Sequence, residues 1–271
     1  QMISAGGNLD APWGIAIDYL GMLIVLDRDA FSNPGGQIIK IDPANGSQTV
    51  LSENGLIKTP LGIAIDYSGN IIVADQHATG TGALIRIDPV TGAQSIIASG
   101  DLINYPSDVA IDGAGNYYVT SSDNSGLRVV KITPSGAQTL VSSRHFNTWH
   151  SGIITNPSGT VLYVSEIYYG GNGIIKVDTA SGAQSYFSMG YPFQDPWGLD
   201  WDLDGNIVAA DANWFGPGKI VRVNLATGAK TEFSWSGLLV DPSDIAVVPT
   251  PPDPYDIIDR EVEVITSLGV E

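Results

Sequence analysis

The sequence has no cysteine in 271 residues, so it can form neither a disulfide nor a thiolate metal site. Positive charge is scarce: 12 Lys and Arg face 29 Asp and Glu, for a formal charge of −17. That balance argues against a nucleic-acid partner, which needs a basic surface. It favours solubility and leaves room for divalent cations. Histidine occurs only at His77, His145 and His150. No apolar run approaches the roughly 18 residues that a membrane span needs. No signal peptide is visible, and the expectation is a mature chain starting at Gln1. Abundant Gly, Asn, Ser and Thr with few charged residues suit a secreted protein, extracellular or at the cell surface.

What the chain does have is one pattern repeated along its length. Pro60-Leu61-Gly62-Ile63-Ala64-Ile65-Asp66-Tyr67-Ser68-Gly69-Asn70-Ile71-Ile72-Val73-Ala74-Asp75 is followed by Leu84-Ile85-Arg86-Ile87-Asp88-Pro89-Val90-Thr91-Gly92. Variants start at Pro12, Pro106, His150 and Pro196, with a truncated one at Pro242, in steps of 48, 46, 44, 46 and 46 residues. Within each repeat, runs of alternating β-branched residues are separated by Gly, Asn and Asp turns, giving four strands, a to d. Such a period with four strands per unit predicts a β-propeller, one blade per repeat. Stacking around a ring buries both apolar faces of every blade.

The strand count predicts six blades closed by both chain ends. Residues 2–6 match the d strand at Val50–Gly55, and residues 244–248 supply a strand a. Residues 1–249 form the propeller. Residues 250–271 form a Pro-rich linker and a β-prone tail containing Tyr255, Ile257, Ile258, Val262 and Val264. In one reading the tail supplies strands b and c of the sixth blade in cis, with Val262–Val264 laid over the c strand Val221–Val223. In the other it adds to a neighbouring copy and builds a head-to-tail oligomer or fibre.

The Gly-Ile-Ala-Ile-Asp…Gly-Asn-Ile-Ile-Val-Ala-Asp core resembles the NHL-type propeller superfamily, which includes NHL-repeat, streptogramin lyase-like and gluconolactonase-like proteins. The resemblance covers residues 1 to about 249. It implies either a protein-interaction scaffold or a metal-dependent hydrolase or lyase at the channel mouth. In the enzymatic branches, metal-binding acids, amides or histidines ring that mouth. Here Asp108 and Asp244 replace the inner-strand glycine, and Asp200 replaces the alanine two positions on. They are candidate ligands for a divalent cation, or structural acceptors. His150, close to His145 and followed by Glu166, is the best acid–base constellation. Asp202, Asp204 and Asn206 match the acidic half of a calcium loop, although the repeat also places an ordinary turn there. Asp27, Asp75, Ser121, Glu166 and Asp211, after each strand b, read as acceptors for loop amides. The basic residue of each strand c (Lys40, Arg86, Lys131, Lys176, Arg222) reads as a stem packed over the blade with its charge at the rim. Trp149, Trp197, Trp214 and Phe215 can stack on a glycan or a partner surface, or pack between blade ends. Asn45 heads the only glycosylation sequon. The expected activity is an extracellular, non-catalytic interaction propeller that assembles with itself. A hydrolase or lyase and a carbohydrate binder are the alternatives.

Overall fold

A computed structural model describes residues 2–28, 35–123, 126–144, 151–167, 172–213, 217–235, 239, 241–248 and 263–266. Blade one is β1 (Pro12–Ile17), β2 (Leu23–Asp27), β3 (Gln37–Ile41) and β4 (Gln48–Glu53). Blade two is β5 (Pro60–Ile65), β6 (Ile71–Asp75), β7 (Ala83–Ile87) and β8 (Gln94–Ser99). Blade three is β9 (Pro106–Ile111), β10 (Tyr117–Asp123), β11 (Gly126–Ile132) and β12 (Gln138–Arg144). Blade four is β13 (Ile153–Thr155), β14 (Val161–Glu166), β15 (Gly173–Asp178) and β16 (Gln184–Met189). Blade five is β17 (Asp195–Trp201), β18 (Ile207–Ala212), β19 (Lys219–Val223) and β20 (Lys230–Trp235). Each is an antiparallel meander in chain order. After them come β21 (Ile245–Val248) and β22 (Glu263–Thr266), which form a two-stranded sheet.

The expected six four-stranded blades are thus five, and the tail takes a different register from the one the repeat suggested. Val248 pairs with Glu263 and Ile245 with Thr266, so this segment lies beside strand a, in the b position. The c-strand alignment placed Glu263 where every complete blade has a base, and that mismatch marks the segment as something other than a c strand. Tyr255, Ile257, Ile258 and Val262 fall outside the described residues. The N-terminal segment is not a strand either, yet Ser4 makes the contacts of a strand-d serine. It donates to the Gly46 carbonyl and receives the Gln48 side-chain amide, as Ser52 does with Gly92 and Gln94.

Local chemistry explains the turns. Asp66 opens the a–b turn, and its Oδ1 accepts the amides of Ser68 and Asn70 at 2.8 and 2.9 Å. Asp18, Asp112 and Asp202 do the same in their blades. Gly69 takes φ +84°, which a side chain would oppose. Between blades, apolar side chains from facing sheets form the core. Ile24, Leu26 and Ile38 of blade one, for example, meet Ile63, Ile71, Val73 and Ile85 of blade two. Each fully buried aliphatic side chain contributes roughly 1.5–3 kcal/mol, so the seams between blades supply most of the stability.

Candidate functional site

The inner strands approach one another so closely that Gly62 and Gly198 leave no room for a side chain. A Cβ on Gly62 would lie 2.3 Å from the Asp108 Cα, and one on Gly198 would lie 2.1 Å from the Asp244 Oδ1. The three channel aspartates sit in this crowded zone, and each bridges two neighbouring inner strands. Asp108 accepts its neighbour Val109 N on Oδ1 and Ile153 N of blade four on Oδ2, both at 2.8 Å. Asp200 accepts Trp201 N at 2.8 Å and Val247 N of β21 at 2.7 Å. Asp244 accepts Ile245 N and Ile15 N of blade one, both at 2.9 Å. Asp200 and Asp244 therefore link the two-stranded sheet to blade five on one side and to blade one on the other. Ser243 reinforces both links, donating to the Trp13 carbonyl at 2.7 Å and accepting Gly198 N at 3.1 Å.

Enclosure by protein raises all three acids. Burial pushes Asp108 up to about 7, aided by the charge of Asp200 and opposed by its two amide bonds. Burial pushes Asp200 to about 6. Asp244 is raised well above the carboxylate range by burial and by repulsion from Asp108 and Asp200. The three acids feel one another's charge, but both oxygens of each are engaged by backbone amides. Among the described residues, no group of three or more His, Cys, Asp or Glu is arranged to hold a metal ion.

The other expected site residues are distributed as follows. Glu166 is buried at the end of β14, in line with Asp27, Asp75 and Asp211. His145, His150, Trp149, Trp214 and Phe215 lie outside the described residues. Asp75 shows what this post-b position does: its carboxylate accepts the amides of Lys58, Thr59, His77 and Ala78, tying the loop before strand a to the loop after strand b. Asp27 takes the amides of Asp10 and Ala11, and Asp211 those of Gln194 and Asp195. The acidic turn Asp202, Asp204, Asn206 faces a cation of its own chain, because the Arg222 guanidinium forks between the Asp202 and Asp204 carboxylates. Lys40 meets Asp18 in the same way at 2.7 Å, so the strand-c base is a partner of the a–b turn. Asn45 is exposed in a c–d turn, where its side chain donates to Asp42 and accepts Ser47 N.

Trp197 packs edge-on against Trp13, with ring centroids 5.1 Å apart, and Arg28 lies 4.4 Å over the Trp13 ring. This cluster spans blades five and one. Trp13 precedes its inner strand in the sequence just as Trp197 and Trp149 do, and the structure brings Trp13 and Trp197 together. The available signal was that both tryptophans precede the inner-strand glycine, as Trp13-Gly14 and Trp197-Gly198. The Ser–Gln staples between successive d strands were also missed, although Gln opens strand d in four blades.

No family model matches the sequence, and no curated protein matches it. Solved structures do. A chain of the nidogen/laminin complex aligns with TM-score 0.63 and 16% identity, over 79% of this chain and 80% of that one. A gluconolactonase from Xanthomonas campestris aligns with TM-score 0.68 and 17% identity, over 88% of this chain and 80% of that one. At such identities the likeness establishes the fold: the chain is a β-propeller of four-stranded blades, the architecture of the superfamily its repeats resemble.

Proposed function

We propose that the chain is an extracellular, non-catalytic interaction propeller that joins copies of itself by exchanging its C-terminal strand. The observation that carries this reading is the length of one connection. In blade two, five residues, 66–70, join strand a to strand b, and the other complete blades turn as tightly. In the last sheet 14 residues, 249–262, separate Val248 from Glu263, and the first of them are Pro-rich. At about 3.3 Å per residue such a connection reaches on the order of 45 Å. That is enough for β22 to lie on its own β21 or on the β21 of a neighbour. The ladder is the same in both cases, so exchange costs no backbone hydrogen bond. Exchange in one direction builds an open fibre. The two-stranded sheet then stands as the sixth member of the ring, held to blades five and one by Asp200 and Asp244.

Light scattering and negative-stain microscopy of the full chain, and of the chain lacking residues 249–271, test this. Oligomers or fibres that dissolve into folded monomers on truncation are expected. A full chain that stays monomeric up to millimolar concentration overturns it.

The likeness to a gluconolactonase favours a second reading, a metal-dependent hydrolase or lyase at the channel mouth. The backbone amides held by both oxygens of Asp108, Asp200 and Asp244 give these acids a structural role, which supports the first reading over this one. Turnover of a lactone or ester panel that needs a divalent cation and is lost in Asp108→Asn would reinstate it. Carbohydrate binding predicts a glycan-array signal abolished by Trp214→Ala.

A further inference from the structure

We infer that Asn54 is a site of spontaneous covalent modification, at which its side chain cyclises onto the Gly55 nitrogen, loses ammonia and reopens as aspartate or isoaspartate. The inference is independent of strand exchange between copies and of any chemistry in the channel.

The sequence contains three Asn-Gly pairs: Asn45-Gly46, Asn54-Gly55 and Asn172-Gly173. Glycine is the follower that favours this cyclisation, because it places no side chain against the closing ring and lets the backbone turn freely. The reaction also needs a side-chain amide and a following backbone nitrogen that are both free to meet. The structure sorts the three pairs by this requirement.

Asn45 is exposed, but its Oδ1 accepts Ser47 N at 2.8 Å and its Nδ2 donates to Asp42 Oδ2 at 2.9 Å. Its would-be nucleophile, Gly46 N, donates to the Asp42 carbonyl at 2.8 Å. Asn172 donates its side-chain amide to the Gln194 carbonyl, and Gly173 is buried in β15 between Glu166 and Met189. Asn54 and Gly55 are both exposed, and neither the Asn54 side chain nor Gly55 N has a hydrogen-bond partner among the described residues. One restraint acts on this pair. The Asn54 carbonyl accepts Gln94 Nε2 at 3.0 Å and Ile57 N at 3.2 Å, so those bonds must open for the peptide to swing into place.

The fold does not call for asparagine here. Asn54 has φ +60°, and the same place in three other connections is held by Gly6, Gly100 and Gly190, at φ +61°, +65° and +75°. Their carbonyls accept the amide three residues on, as Asn54 accepts Ile57 N. Glycine is therefore the neutral occupant of this left-handed position.

The chemistry needs only water. Gly55 N loses its proton and attacks Asn54 Cγ. The N–Cγ bond forms, the Cγ–Nδ2 bond breaks, and Nδ2 leaves with a proton as ammonia. Water then opens the cyclic imide. Attack at Cγ gives aspartate. Attack at the main-chain carbonyl carbon gives isoaspartate, whose backbone runs through Cβ and Cγ and is one methylene longer. That methylene falls within the segment that the Gln94 amide clasps. Its Nε2 donates to Ser52 Oγ at 3.0 Å and to the Glu53 and Asn54 carbonyls, and its Oε1 accepts Leu56 N at 2.6 Å. Isoaspartate thus loosens the staple between the d strands of blades one and two.

The test is to hold the full chain at pH 8 in heavy-oxygen water and to map label and isoaspartate by mass spectrometry. A free peptide copying residues 51–58 serves as the clock. Label should enter position 54 more slowly than it enters the peptide, but about tenfold or more faster than it enters positions 45 and 172, where two or more hydrogen bonds must break at the reacting atoms. The rate at position 54 should rise with pH, and the Asn54→Gly variant should take up no label there. In the isoaspartate form, hydrogen exchange at Leu56 N should quicken while blades three to five keep their protection. Conversion at position 54 no faster than at Asn45 or Asn172 would overturn the inference. Unchanged exchange at Leu56 N in the isoaspartate form would overturn its effect on the staple.

Discussion

Acidification should stabilise this protein, and Asp200 provides the sharpest test of the reason. Its carboxylate is enclosed where β17 meets β21, and burial pushes it up to about 6 from the ordinary aspartate value of 3.8. A group raised in this way favours the folded state at low pH, where it is protonated in both states. That contribution is lost as pH rises through the folded value. The difference of about two units corresponds to on the order of 3 kcal/mol at 1.36 kcal/mol per unit. Asp108, raised to about 7, and Asp244, also raised, add terms of the same sign. The assay is urea unfolding of wild type and Asp200→Asn at pH 4 and pH 8. The substituted amide cannot ionise. It accepts one of the two amides that Asp200 holds, so it costs about 1 kcal/mol at pH 4. Wild type should lose about 2–3 kcal/mol more stability than the variant between pH 4 and pH 8, because the unfolded carboxylate is already partly ionised at pH 4. The gap can widen, because the variant also relieves repulsion on Asp108 and Asp244. Parallel pH profiles, or a wild type that gains relative stability at pH 8, would refute the reasoning.

Further predictions concern the seams and turns. Gly62→Ala places a Cβ against the backbone of Asp108 and should cost at least about 1–3 kcal/mol in thermal or urea unfolding. Asp75→Ala strips the acceptor from four loop amides and should cost about 3 kcal/mol, whereas Asp88→Ala in an exposed turn should cost far less. Calcium should leave the melting temperature unchanged within a degree, because Arg222 already pairs with both Asp202 and Asp204; a rise that vanishes in Asp204→Asn would show a bound ion.

The sequence by itself determined the blade. The repeat of 44–48 residues, the alternation of β-branched residues and the Asp…Gly-Asn turn are local, and each blade folds by them with few exceptions. The post-b acids were legible for the same reason: a carboxylate recurring at a loop mouth has amides to hold, and Asp27, Asp75 and Asp211 do so. Tertiary structure decided everything that depends on the seams. Asp108, Asp200 and Asp244 could be read as metal ligands or as structural acceptors until the next inner strand presented its amides to them, some 45 or more residues away in the chain. The tail's place was decided the same way. Its apolar pattern suits a strand in either the b or the c position, and only pairing with β21 fixed its register.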